Sequence, residues 1–140
     1  IRAIEGASIT LYGDGHQVRD ILDVSDAVDA YIAAWRRIGR LSGQAFNLGG
    51  GPDNAVSLRT LLGHVEAITD RPLDLRFDDW RAGDQRYFVA DTNKARALLE
   101  LSAPIGWRDG VTALAHWLAD QRGLPLGRSM PRAPLAATAL

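Results

Sequence analysis

Three consecutive glycines followed by a proline, Gly49-Gly50-Gly51-Pro52, set the tightest limit on how this chain can fold. Glycine opens backbone conformations closed to other residues, and proline cannot donate to a helix or a sheet ladder. The run follows the apolar segment Ala45-Phe46-Asn47-Leu48. It precedes Ser57 and a stripe of Leu58, Leu61, Leu62, Val65 and Ile68 at helical spacing. The pattern predicts a short strand turning sharply into an amphipathic helix with Ser57 as its N-cap. A phosphate loop is the competing reading. The spacing matches neither the dinucleotide nor the Walker fingerprint, because no further glycine or basic residue follows at the required offsets.

The same alternation of strand and helix signals runs through the chain. Ser8-Ile9-Thr10-Leu11-Tyr12 alternates polar and apolar residues, Gly13-Asp14-Gly15 reads as a tight turn, and Val18 to Val24 is a second strand candidate. Together they predict a small hairpin. Ser25 is placed to cap the next helix, with Asp26 and Asp29 in its first turn, where the helix dipole favours negative charge. Val28, Tyr31, Ile32 and Trp35 follow helical spacing and are expected to face the core. Arg36, Arg37 and Arg40 then suit the C-terminal end of that helix. Leu73, Leu75 and Phe77 alternate with Asp74 and Arg76 as a strand, and Tyr87-Phe88-Val89 is another. Asp91 is placed to cap a helix carrying Ala95, Leu98 and Leu99. After a turn at Pro104 to Trp107, Val111, Leu114, Ala115 and Leu118 mark a last helix closed by Gly123. From residue 123 to 140 the chain has no period and reads as a disordered tail.

Alternating short strands and amphipathic helices in 140 residues imply an α/β architecture with room for one ordinary core. A net charge of −1 provides no general basic field, so neither nucleic acid nor an anionic membrane surface is an expected partner. Without cysteine there is no thiolate nucleophile, thiolate metal site or disulfide, which fits a cytoplasmic location. No apolar run approaches the length of a bilayer span. The chain begins at Ile1, which fits a piece of a longer product.

Chemistry concentrates in Asp78-Asp79-Trp80-Arg81-Ala82-Gly83-Asp84-Gln85-Arg86-Tyr87. Arg81 and Arg86 are planar forks able to grip phosphate oxygens through paired hydrogen bonds, and Asp84 is an acceptor suited to a sugar or ribose hydroxyl pair. Composition alone favours the other reading, a solvated polar turn with surface ion pairs. Arg19 adds a third guanidinium after another strand. His16, His64 and His116 share no metal-ligand spacing, so no metal is expected. Asp78 and Asp79 are adjacent in extended chain and point opposite ways, which keeps them from sharing a proton. No nucleophile elbow, HExxH or P-loop is present.

Four segments nevertheless form an ordered series: Leu11-Tyr12-Gly13-Asp14-Gly15-His16-Gln17-Val18-Arg19-Asp20-Ile21-Leu22-Asp23-Val24-Ser25-Asp26, Phe46-Asn47-Leu48-Gly49-Gly50-Gly51, Trp80-Arg81-Ala82-Gly83-Asp84-Gln85-Arg86 and Ala90-Asp91-Thr92-Asn93-Lys94-Ala95. The series resembles the C-terminal part of extended short-chain dehydrogenase/reductases that act on nucleotide sugars, the NAD-dependent epimerases and dehydratases. It covers about residues 7 to 122. The resemblance implies that Arg19 and Arg81 contact the diphosphate of a nucleotide sugar, that Asp84 binds the nucleotide ribose and that Tyr12 lies beside the base.

It also implies what is missing. Such enzymes carry a Gly-x-x-Gly-x-x-Gly loop for NAD and a Tyr-x-x-x-Lys pair for proton transfer, and this sequence has neither. Its tyrosines, Tyr12, Tyr31 and Tyr87, are followed four residues later by His16, Trp35 and Asp91, and Ala90 stands four places before the single lysine, Lys94. No catalytic and no cofactor-binding residue is therefore assigned. The expected fold is the substrate-binding portion of an extended Rossmann-type enzyme, lacking the N-terminal dinucleotide-binding half. Residues 1–122 form the substrate-binding region, including one strand-helix element that belongs to the dinucleotide-domain sheet. The expected function is holding the nucleotide diphosphate for an NAD-dependent epimerase, with NAD bound by the parent enzyme and not by this chain alone. Expected partners are a nucleotide-diphosphate sugar, a missing or separately encoded dinucleotide-binding half, and other copies of the chain through exposed apolar faces. Two alternatives are a stand-alone, non-catalytic nucleotide-sugar binding module and the complementing half of a split dehydratase.

Overall fold

Two small sheets, each held by pairings between segments distant in sequence, organise the computed structural model, which describes residues 1–127. The first pairs β1 (Ile9–Tyr12) with β4 (Leu75–Asp78) in parallel, with Tyr12 opposite Asp78. The second has β2 (Val18–Asp20) at its centre, antiparallel to β3 (Ala55–Ser57) and parallel to β5 (Tyr87–Phe88). Helices surround them: α1 (Arg2–Glu5), α2 (Val24–Arg36), α3 (Ile38–Leu41), α4 (Leu58–Thr69), α5 (Asn93–Leu99) and α6 (Trp107–Arg122). The expected α/β class is observed. No helix among the described residues is long and apolar enough to cross a membrane.

The expected hairpin does not form. β1 and β2 lie in different sheets, because residues 13–17 carry the chain from one sheet to the other instead of reversing it. β2 also stops at Asp20, where the backbone of Ile21 turns to meet Asn54: Ile21 N–H donates to Asn54 O at 3.1 Å. A methyl group on Gly50 would stand 1.9 Å from Ile21 O, so the glycine run is used for close backbone packing at this crossing. The strand expected at residues 45–48 is irregular as well. A strand needs a neighbour for its backbone groups, and this segment instead docks on α5. Lys94 Nζ donates to Ala45 O at 3.0 Å and lies 4.9 Å from the centre of the Phe46 ring.

Helix ends follow local chemistry closely. Ser57 caps α4, its hydroxyl accepting the Thr60 N–H at 3.2 Å. At α5 the N-cap is Thr92, which makes no side-chain cap bond, and not Asp91; from one residue earlier the Asp91 carboxylate accepts the Asn93 N–H at 3.0 Å, while α6 closes at Gly123. At α2 the cap is Asp23 and not Ser25: the Asp23 carboxylate accepts the Ser25 N–H at 2.9 Å. Ser25 is already inside the helix, and a carboxylate at the N-cap also complements the dipole.

The core cluster comprises Ala30, Leu41, Ala95 and Leu99, with Ala33, Ala34, Phe46 and Leu101 packed against it. α2 thus buries its small alanine side against α3 and α5. Its large apolar side, expected to face the core, is exposed: Tyr31 is 72% and Trp35 74% accessible, and Val28 and Ile32 are exposed with them. The described residues offer no second layer to cover that face. On the other flank, α4 meets α6 through His64, whose ring stands edge-on to Trp107 at 5.2 Å. His64 Nε2 is 3.1 Å from both Arg108 O and Thr112 Oγ1. Thr112 already donates to Arg108 O, so a protonated Nε2 donating to both oxygens satisfies the group. Residues 128–140, most of the expected tail, lie outside the described residues; before them, Leu124 N–H donates to Ala119 O at 3.0 Å.

Candidate functional site

Parallel pairing of β1 with β4 and of β2 with β5 forces the two connections between the sheets to run side by side. Residues 13–17 join β1 to β2, and residues 79–86 join β4 to β5. Hydrogen bonds fasten them at both ends: Gly13 N–H donates to Asp78 O and Val18 N–H to Arg86 O, each at 2.9 Å. The polar stretch singled out in the sequence is therefore held against the Gly13-Asp14-Gly15 turn.

Within this frame, Tyr12 and Arg81 are in contact. The Arg81 guanidinium carbon lies 3.5 Å from the centre of the Tyr12 ring, the separation of a stacked pair. Such contacts stabilise by about 0.5–1 kcal/mol at exposed positions. Asp84 is tied to Arg81 by a turn in which Asp84 N–H donates to Arg81 O at 3.1 Å, with Gly83 at φ 84° between them. Trp80 lies against Gly13, and Arg86 stands 5.4 Å from the Trp80 ring centre.

Arg19 enters from β2, half-buried, its Nη1 donating to Val18 O at 2.7 Å. It makes no hydrogen bond to Tyr12, Arg81 or Asp84. Register brings it close to the second connection, because Val18, its neighbour, is bonded to Arg86 and Arg19 itself pairs with Phe88. Arg19, Arg81 and Arg86 take part in no ion pair among the described residues, whose pairs are Arg37–Glu100, Arg76–Asp74 and Arg122–Glu5. Three guanidiniums on or beside one pair of connections, none neutralised by a carboxylate, can bind an anion with several charges.

Three supporting residues were not anticipated. Asp20 Oδ2 accepts N–H groups from Gly51 at 3.0 Å and Ala90 at 3.2 Å, joining β2 to the glycine turn and to the chain after β5. The buried Gln17 donates from Nε2 to Tyr12 O at 2.8 Å, fixing the end of β1. Arg59 donates from Nε to Asp14 O at 2.7 Å and lies 5.4 Å from the Phe77 ring centre. Its position carried a signal: a cation in the first turn of α4 opposes the helix dipole, so another partner is expected.

Asp78 forms a local turn, its carboxylate accepting Asp79 N–H at 2.8 Å. No group of three or more potential metal ligands occurs among the described residues. The Gly49-Gly50-Gly51 run does not fit a dinucleotide phosphate either: Gly50 and Gly51 are buried, and the nearest space at Gly50 is filled by Ile21 O and Asn54.

A model of the NAD dependent epimerase/dehydratase family matches residues 1–49. The chain is 36% identical over 113 residues to a CDP-paratose 2-epimerase of Salmonella typhi, a match covering 79% of this chain and 33% of that protein. It is 33% identical over 117 residues to a UDP-glucose 4-epimerase of Mycolicibacterium smegmatis, covering 83% of this chain and 34% of that one. The chain thus spans about a third of the length of these curated relatives. Among solved structures, UDP-glucuronic acid 4-epimerase from Bacillus cereus in complex with UDP-glucuronic acid and NAD superimposes with a TM-score of 0.76 at 25% identity, over 86% of this chain and 38% of that one.

Proposed function

We propose that this chain, which belongs to the NAD-dependent epimerase/dehydratase family and has the fold of part of its Rossmann-type enzymes, is the substrate-holding portion of a nucleotide-sugar epimerase. Arg19 and Arg81 grip the nucleotide diphosphate, Asp84 takes the ribose hydroxyls and Tyr12 borders the base. Residues 1–122 form that region, and the proton and hydride transfers belong to a cofactor-binding half. The sequence itself contains no Tyr-x-x-x-Lys pair and no dinucleotide glycine loop, so these residues alone do not catalyse the reaction.

One observation carries this reading: the parallel pairings lay the connection holding Arg81 and Asp84 beside the end of β1 and the start of β2, which hold Tyr12 and Arg19. Two guanidiniums arriving from separate elements suit the two phosphates of one diphosphate, each charge-assisted contact contributing about 1.5–3 kcal/mol. Calorimetric titration with UDP-, dTDP-, CDP- and GDP-sugars tests it, with Arg19→Ala and Arg81→Ala as controls. Binding that weakens at least tenfold in each variant is the expected result. Unchanged affinity in both overturns the diphosphate grip.

The exposed apolar face of α2 favours a further reading, in which the chain functions only when joined to a separately encoded cofactor-binding half. Co-expression with the cofactor-binding half of a family member tests it. A stable, NAD-binding complex supports complementation, whereas a chain that binds nucleotide sugar alone and never associates supports a stand-alone binding module.

A further inference from the structure

We propose that the cleft between α2 and the segment following α5 is a second ligand site, built for a small phosphate ester that carries hydroxyl groups, a phosphorylated sugar. Its lining includes none of Tyr12, Arg19, Arg81 and Asp84, so it stands independently of the nucleotide grip.

The cleft has a volume of about 280 Å³, at the small end of ligand cavities. Two contacts mark its ends. At one end Arg37 is ion-paired with Glu100, and at the other the Asp26 carboxylate accepts Ile105 N–H at 2.8 Å. The chain leaving α5 therefore runs back along α2, whose helical rise sets these ends about 16 Å apart. Ile32, Ala33 and Leu101 supply an apolar wall between them.

The ends differ in charge. Arg36 adjoins Arg37 in sequence, Arg96 precedes Glu100 by about one helical turn, and all three arginines line the cleft. Arg37 has its carboxylate, whereas Arg36 and Arg96 take part in no ion pair among the described residues. α2 and α5 both end here, and each C-terminus acts as about half a negative charge. Three guanidiniums, less Glu100 and the two helix ends, leave about one net positive charge. Arg96 is half-buried, and a guanidinium drawn partly from water without a partner has a desolvation cost that a bound anion offsets.

The donors select the anion. One guanidinium fork satisfies a carboxylate, but two forks arriving from separate helices suit a phosphate, which has more free oxygens. Asp29 lies two turns before Arg36, about 10 Å along α2, and also lines the cleft without an ion pair among the described residues. An unpaired carboxylate at that distance is an acceptor for hydroxyl groups. Phosphate at the arginines and hydroxyls at Asp29, with a ring against the apolar wall between, describe a sugar phosphate.

Calorimetry on the full chain with glucose 6-phosphate, glucose and inorganic phosphate tests this. Glucose 6-phosphate is expected to bind more tightly than either of the others. Arg96→Gln and Arg36→Gln should each weaken it about tenfold or more, and Arg96→Lys, which keeps the charge and loses the fork, should fall between. Asp29→Asn should weaken glucose 6-phosphate and leave inorganic phosphate unchanged. Arg19→Ala and Arg81→Ala should change none of these affinities, which separates this site from the nucleotide grip.

The amide resonances of Ala33, Arg96 and Leu101 should move on addition of glucose 6-phosphate. A native chain with no saturable binding overturns the site. So does binding that is lost in Arg81→Ala and kept in Arg96→Gln, because the phosphate is then held by the nucleotide grip. Glucose 6-phosphate binding no tighter than inorganic phosphate, and indifferent to Asp29→Asn, overturns the sugar phosphate as its ligand. Arg36 is exposed, so Arg36→Gln keeps the test decisive should Arg96→Gln fail to fold.

Discussion

The Trp80 indole packs on Gly13 so closely that a methyl group at Gly13 would stand 2.5 Å from Trp80 Cε2. Gly13 also has φ 84°, a conformation L side chains rarely adopt. Gly13→Ala therefore meets two costs, the backbone conformation at about 1–2 kcal/mol and the displacement of a tryptophan at about 1–3 kcal/mol. Only the second depends on the partner. Urea denaturation of Gly13→Ala in native and Trp80→Ala backgrounds should show a smaller loss in the latter. Equal losses would mean that the contact contributes nothing.

Asp20 makes a second testable junction, since one carboxylate oxygen accepts N–H groups from two other segments. Asp20→Asn keeps the shape and removes the charge. A loss of roughly 1–3 kcal/mol is expected, because charge-assisted bonds are about twice as strong as neutral ones. Asp20→Ala should lose more, leaving the N–H groups of Gly51 and Ala90 without that acceptor. Chemical denaturation measures both, and an Asn variant as stable as the native chain would show that the charge is irrelevant here.

The contact between His64 and Trp107 predicts a coupling between α4 and α6. Trp107 is buried, so Trp107→Ala should destabilise by about 3–5 kcal/mol. The edge-on pair itself should appear in a double-mutant cycle with His64→Ala as about 0.5–1.5 kcal/mol. A coupling near zero would assign the stabilisation to burial of the indole alone.

What the sequence made legible was set by distance along the chain. The Ser57 cap and the closure at Gly123 involve residues within a turn of one another, and each was readable. The hairpin was not, because β1 and β2 find their partners in β4, β3 and β5. Arg19, Arg81 and Asp84 were nominated by side-chain chemistry as well as by motif resemblance, and Tyr12 by resemblance alone. That Tyr12 and Arg81 touch follows from pairing between β1 and β4, which no local pattern reports. Asp20 and Gln17 escaped notice for the same reason: their partners are backbone groups, and backbone groups leave no mark in sequence.

The clearest departure from sequence expectation, the exposed face of α2, yields the last prediction. Periodicity identifies which residues share a helix face, but it does not say whether the layer that covers the face lies within the same chain. Here Ala30, Ala33 and Ala34 supply the buried side, while Val28, Tyr31, Ile32 and Trp35 stay accessible. A contiguous apolar face of this kind favours association. If it is a docking surface, the double variant Tyr31→Lys, Trp35→Lys should leave the unfolding free energy within about 0.5 kcal/mol of native, as surface substitutions do. It should also convert self-associated material to monomer in sedimentation velocity. If the face belongs to this chain's own core in solution, the same substitutions bury two charges and the variant unfolds. A native chain that sediments as a clean monomer, with the variant unchanged in both respects, would show that the face is merely exposed and has no partner.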